Sequence, residues 1–240
     1  MDNSTDLPSK LAAADALPEW ETDNEPFPVP GTFIESHKLT LKTPLHTPYY
    51  DLNLDIPKGS YVAVVGPHGS GKTPLLVTLA GRMKFTSGTL RIGKYNLPKD
   101  RRRYENTAGM AIFSGLNDLE WNIKSGAILK SELELHKKPH RTQDAKNYLD
   151  KWKLGHIFNI KVSELTQLDY DMFGIALGMI NDPDVLVVDD IEENLDWQEK
   201  QELARKLSFL AHRYGVTVFV ATNEVEAAGS VDAVIQLERK

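Results

Sequence analysis

Gly66-Pro67-His68-Gly69-Ser70-Gly71-Lys72-Thr73 sets three glycines, a lysine and two hydroxyl residues within eight consecutive positions. This arrangement, G-x-x-x-x-G-K-[ST], is suited to holding a phosphate chain. Glycines let backbone N–H groups converge on an anion, and a helix opening behind them adds the positive end of its dipole. In that geometry Lys72 reaches the β- and γ-phosphates and the Thr73 hydroxyl ligates Mg²⁺. Pro74 follows and contributes no N–H, so the cradle has one donor fewer than the backbone could supply. His68, inside the loop, is expected to face solvent.

Such a loop works only between a buried strand and a helix, and the neighbouring residues supply both. Tyr61–Val65 is a short continuous apolar run, as in a central parallel strand, and 73–82 has a helical pattern. Similar runs recur at 32–41, 49–56, 88–92, 107–113, 184–190, 216–222 and 232–237. Between them, 196–213 is amphipathic, with Leu203, Leu207 and Leu210 on one face and Gly215 where a C-terminal cap belongs. Strands alternating with helices predict an α/β fold with a parallel sheet. The stretch 124–160 is more polar and helical in pattern, which predicts a small helical insert.

The 240 residues suffice for one large domain, or one domain and an insert. No cysteine is present, which excludes disulfides, thiolate metal sites and cysteine nucleophiles. No run approaches the roughly 18 apolar residues of a membrane-spanning helix. The start, MDNSTDLPSK, lacks the basic and apolar regions of a secretion signal. Residues 1–30 carry seven acids and one base, so the net charge of −6 belongs to them and residues 31–240 are neutral. This segment, with five prolines, reads as a disordered tail or as a docking arm led by Trp20 and Phe27. A neutral body without a basic stripe argues against nucleic acid as partner. Arg101-Arg102-Arg103 reads as an exposed face, with an acidic partner surface as the alternative.

The loop by itself points to a P-loop NTPase. Over residues 31–240 the chain resembles the nucleotide-binding subunit of an ATP-binding cassette (ABC) transporter. DLNLDIPKGSYVAVVGPHGSGKT and LAGRMKFTSGTLRIG are similar to that family's first segments. Val185–Asp189 resembles its Walker B strand, Leu195-Asp196 its D-loop, and Thr222 the residue before its switch histidine. The combination of GSGKTPLL, LTQLD and VVDD is also similar to bacterial subunits that accompany phage-infection-protein-like membrane proteins. The resemblance implies an ABC-type fold with a parallel core sheet, an antiparallel edge sheet and a helical subdomain near 114–180. It also implies ATP and Mg²⁺ as ligands, with Asp189 acting on Mg²⁺ through water. The implied partners are a polytopic membrane subunit and a second cassette, in a homodimer or heterodimer. The implied location is the inner face of the cell membrane.

Against that pattern, several groups that serve hydrolysis are replaced. Asp190 stands where the family has a glutamate general base. A carboxylate remains, one methylene shorter; its alternative role is to orient the following turn. Asn223 stands at the switch position, and no histidine occurs after His212. Phe113 falls near the loop glutamine's place, with Ser114 as the nearest polar residue. The signature LSGGQ maps to Leu165-Thr166-Gln167-Leu168-Asp169, keeping a hydroxyl but neither glycine. The adenine-stacking aromatic should lie near Thr43, where only Tyr49 or His46 could substitute. Glu192 and Glu193 read as solvated residues. These replacements predict MgATP binding with slow hydrolysis. The alternatives are a nucleotide-binding regulatory module that barely hydrolyses and a soluble, non-transport ABC protein. Leu119 and Trp121, within 114–130, are expected either to anchor a membrane partner or to pack the helical subdomain's core.

Overall fold

The computed structural model describes residues 31–190 and 194–239. Two compact units arise from one chain: residues 110–182 form one, and the described residues before and after them form the other. Calls on the tail, on Glu192 and on Glu193 lie outside the described residues.

The larger unit contains two sheets. The antiparallel one is built from β1 (Thr32–Leu41), β2 (Tyr49–Pro57), β4 (Ser87–Ile92) and β5 (Tyr95–Leu97), in the order β2-β1-β4-β5. Alternation governs it in stretches: along β1, Ile34 and Ser36 are buried, then Leu39 and Leu41 beyond an irregularity between Ser36 and Leu39, and on β2 Leu54 and Ile56 are buried. The second sheet has the order β6-β7-β8-β3-β9, from β3 (Tyr61–Val65), β6 (Ala108–Met110), β7 (Val185–Val188), β8 (Thr217–Thr222) and β9 (Ala233–Gln236). Every residue of β3, β7 and β8 is buried. Those strands pair in parallel, with Val65 level with Thr222 and Val188 level with Val220. Continuous apolar sequence is what a strand buried on both faces requires.

Helices α1 (Lys72–Leu79), α2 (Arg101–Tyr104) and α6 (Trp197–Tyr214) complete this unit. α6 starts on a reciprocal cap: Asp196 Oδ1 accepts from Glu199 N and Glu199 Oε2 accepts from Asp196 N, both at 2.9 Å. It ends at Gly215, in the left-handed region at φ 63°. Leu203, Leu207 and Leu210 are buried, on the face the sequence pattern marked.

The unit formed by 110–182 contains α3 (Ser125–Leu135), α4 (Thr142–Lys151) and α5 (Gln167–Gly178). Its core gathers Leu129, Leu133, Tyr148, Leu149, Trp152 and Phe173. Tyr148 is fully buried, and its hydroxyl donates to the Ala176 carbonyl at 2.6 Å. That bond removes the penalty of an unpaired buried hydroxyl. The apolar run at 107–113 is strand only over 108–110. Beyond it Asn117 clamps the chain, its Oδ1 accepting from Phe113 N and its amide donating to Ala111 O.

Candidate nucleotide site

Parallel strands side by side bring their carboxyl ends to one edge of a sheet, where α/β proteins place ligands. In the order β7-β8-β3, the residues leaving that edge are Asp189, Asn223 and the glycine loop. Three segments far apart in sequence therefore meet through strand register alone.

The loop leaves β3 at Gly66, whose backbone approaches so closely that a side chain there would strike the Leu237 carbonyl and Ser70. Gly69 and Gly71 are left-handed, at φ 79° and 101°. A Cβ on Gly71 would also run into the Pro48 carbonyl. Glycine is needed here both for conformation and for space. α1 begins directly behind Gly71 with no side-chain cap, so its first N–H groups face the loop unblocked by protein oxygens from a cap. Pro74 occupies the first turn of α1, where a missing N–H does not break the helix.

Lys72 Nζ donates to the carbonyls of Gly66 at 2.5 Å and Pro67 at 3.3 Å, and to Asn223 Oδ1 at 2.9 Å. The ammonium is thus held by neutral oxygens, which an anionic phosphate can replace with a stronger charge-assisted contact. Thr73 Oγ1 donates to Asp189 Oδ2 at 2.6 Å. Burial pushes the Asp189 carboxyl up, and the neighbouring Asp190 charge adds to this, against the Thr73 hydrogen bond and Lys72, which lower it. A desolvated carboxylate beside a second carboxylate and a hydroxyl oxygen is a donor set for a hard divalent cation. Ser70 Oγ, buried, has no hydrogen-bond partner among the described residues. The residues present therefore fit a phosphate chain with Mg²⁺.

A cleft of about 180 Å³ runs along this edge, lined by His46, Pro48, His68, Gly69, Gly71, Lys72, Thr73, Pro74, Asp189 and Asp190. Asp190 adopts φ 43°. Short polar side chains tolerate this left-handed region better than longer ones, which gives a local reason for aspartate where glutamate was expected. His68 is exposed at the rim. Tyr49 does not serve as an adenine platform: it is 3% exposed and its hydroxyl bonds Thr78 Oγ1 at 2.7 Å. His46 is exposed and lines the cleft.

Leu195 is buried and Asp196 serves as the α6 cap. In the 110–182 unit, Leu165 precedes Thr166, which caps α5: its Oγ1 accepts from Asp169 N at 3.1 Å. Gln167 donates to Asp171, Leu168 lies in the first turn, and Asp169 Oδ1 lies 3.0 Å from His156 Nε2. The His156 contact was not foreseen, because the two residues are thirteen positions apart. Phe113 is fully buried, and Ser114 is exposed. Trp121 is 65% exposed, so it does not pack the core; Leu116 and Ile123 are exposed near it in sequence.

A glycine cradle behind a central parallel strand, with lysine, threonine and aspartate converging on it, defines a nucleotide-binding P-loop domain. The family model described as "ABC transporter" matches residues 49–192, and the chain belongs to that family. The maltose/maltodextrin import ATP-binding protein MalK of Escherichia coli K12 is 29% identical over 189 residues, 78% of this chain and 51% of that protein. The spermidine/putrescine import ATP-binding protein PotA of Fusobacterium nucleatum is 30% identical over 187 residues, 75% of this chain and 48% of that protein. The chain thus spans about half the length of the curated relatives it matches. Among solved structures, the dimeric bacterial ABC transporter cassette MJ0796 aligns with a TM-score of 0.73 at 21% identity, covering 86% of this chain and 94% of that one. Clostridium perfringens cbiO1 aligns at 0.71 and 19% identity, covering 82% and 80%. These two likenesses establish the ABC cassette fold.

Proposed function

We propose that this chain is the ATP-binding subunit of an ABC import system, binding MgATP and driving or gating a polytopic membrane partner, with slow intrinsic hydrolysis. The observation that carries the reading is the convergence of Lys72, Thr73 and Asp189 on one glycine cradle. Import is supported by the printed functions of MalK and PotA. Gly66 to Thr73 hold the phosphates, with Lys72 exchanging its carbonyl and Asn223 contacts for phosphate oxygens. Thr73 and Asp189 hold Mg²⁺, which when bound neutralises phosphate charge. Asp190 serves as a weak base for the attacking water. Asn223, bonded to Lys72, positions that ammonium but cannot exchange protons as an imidazole does. With Phe113 turned into the core, no long polar side chain stands at the glutamine position. Leu165–Asp169 serve as the signature surface for a second cassette's nucleotide, and Leu195 and Asp196 as its D-loop.

Phosphate release by the purified chain tests this. A shift of about 1 Å in a catalytic group changes rate on the order of 10²-fold, so Asp190→Glu should raise turnover by about tenfold or more. An unchanged rate would remove Asp190 from the base role. Release no greater than that of Lys72→Ala would favour the second reading, a nucleotide-binding regulatory module.

A further inference from the structure

A second cleft, of about 500 Å³, lies in the larger unit and shares no lining residue with the cleft at the glycine loop. Lys84, Lys99, Arg101, Arg102 and Arg103 line it, with Pro98 and Asp100 between them. Asp100 Oδ2 accepts from Asn96 N at 2.9 Å, and Glu105 pairs with Arg101 at 2.9 Å. Among the described residues, no carboxylate lies within ion-pair distance of Lys84, Lys99, Arg102 or Arg103, and all four are exposed. Set against Asp100 and Glu105, the five cations leave an excess of three positive charges around one recess. Residues 31–240 as a whole are neutral, so this excess is local.

The backbone under these cations is fixed from both sides. Asp100 N donates to Asn96 O at 2.9 Å, and Arg103 N and Tyr104 N both donate to Asp100 O at 3.0 Å. Tyr104 is fully buried, and its hydroxyl donates to the carbonyl of Leu79, the last residue of α1, at 2.5 Å. Gly81, left-handed at φ 74°, leaves room for the Tyr104 ring, which a side chain there would strike. The chain then folds back, with Arg82 N and Met83 N both donating to Val77 O, and Lys84 follows into the same recess. Like charges repel, so a bound anion relieves the strain of gathering them on a rigid turn.

A recess focuses the field of the charges that line it. Guanidinium forks and ammonium groups match phosphate oxygens, the forks in bidentate fashion. A single phosphate carries at most about two negative charges, fewer than the local excess, so the fit is to linked phosphates. The volume lies within the range of small-molecule sites. Among the described lining residues only Pro98 is apolar. The recess therefore offers no aromatic face for a base, no apolar pocket for an anchor of an acidic protein segment, and nothing to insert into a bilayer. We propose that it is a second anion site, which binds a soluble ligand carrying two or more linked phosphates, separately from the nucleotide cleft.

The full chain is acetylated at rising concentrations of inorganic tripolyphosphate, and labelling of Lys84, Lys99 and Lys72 is read separately by mass spectrometry. Labelling of Lys84 and Lys99 should fall about threefold or more, the protection given by about two-thirds occupancy. It should recover in 1 M salt, where screening shortens the reach of exposed charges to about 3 Å. Replacing Arg102 and Arg103 by glutamine should abolish the protection and leave the melting temperature unchanged, since both side chains are exposed. Lys99→Gln, read at Lys84, should weaken it likewise, whereas Lys72→Ala, in the other cleft, should leave it in place. Unchanged labelling, protection that survives the glutamine variants, or protection lost in Lys72→Ala would overturn the proposal. Equal protection by a polyglutamate peptide would overturn it in favour of an acidic protein surface. Protection by vesicles containing phosphatidylinositol bisphosphate but not by tripolyphosphate would overturn it in favour of a lipid headgroup. Because Lys72 is read apart from Lys84 and Lys99, failure here is separable from failure of the proposed function.

Discussion

Asp189 is the residue at which stability and function pull apart. Its carboxyl is raised by burial above all and by the neighbouring Asp190 charge as well, so the folded protein binds that proton more tightly than the unfolded chain does. The sign follows from linkage: the group disfavours the fold as pH rises above the ordinary carboxylate range, and the penalty vanishes as pH falls below it. Asp189→Asn keeps an oxygen acceptor for Thr73 while removing the charge. The variant should therefore melt higher than wild type at neutral pH in the absence of Mg²⁺, with the difference shrinking in acid. It should also lose Mg²⁺-dependent nucleotide binding. A lower neutral-pH melting temperature would show that the Thr73 bond and Lys72 outweigh burial. These two opposing outcomes follow from one buried charge placed where a cation belongs. The glycine loop was legible because its residue types are dictated by local geometry. Asn223 was legible only as a departure; its bond to Lys72 depends on β8 lying beside β3, which sequence spacing does not state.

At the scale of elements, strong local signals were readable and tertiary choices were not. Tyr61–Val65 and the β7 run are apolar throughout, and β8 is apolar between its terminal threonines, because both faces are covered, and α6 announces itself by period and by Gly215. The run 107–113 misled because apolarity persists past Met110, where the chain leaves the sheet and Phe113 turns into a core instead. Tyr49 misled for a related reason: an aromatic near a nucleotide cleft is sequence-identical whether it faces the cleft or the core, and here its hydroxyl found Thr78. Asp196, proposed above for the D-loop, starts α6 through a reciprocal cap with Glu199. Asp196→Ala should cost about 1 kcal/mol in stability, read by denaturant titration. Asp196→Asn, which can still accept from Glu199 N, should cost less. Equal losses for the two would mean that the carboxylate charge, not the cap, carries the effect.

At the scale of the whole molecule, the cassette needs something to act on. Among the described residues no helix is long and apolar enough to cross a membrane. Trp121 is a large side chain left 65% exposed on the helical unit, and it is the anchor expected if the chain docks a membrane partner as proposed. Buried aromatic anchors dominate such interfaces, so Trp121→Ala should abolish co-purification with the membrane partner while melting temperature and ATP affinity stay at wild-type values. Retained co-purification would place the docking surface elsewhere.

The claim on which the rest depends is that the glycine loop holds MgATP although the residues serving hydrolysis are replaced. Titration calorimetry of the full chain with ATP and Mg²⁺ measures it directly, with Lys72→Ala as the comparison. In the proposed function the loop's backbone donors and Lys72 act on the bound phosphates, whereas the roles proposed for Asp190 and Asn223 bear mainly on turnover. Wild type should therefore show saturable binding, and Lys72→Ala should weaken it by about tenfold or more, the effect of losing one charge-assisted contact. Equal affinity in the two proteins, or no binding by wild type, would contradict the account.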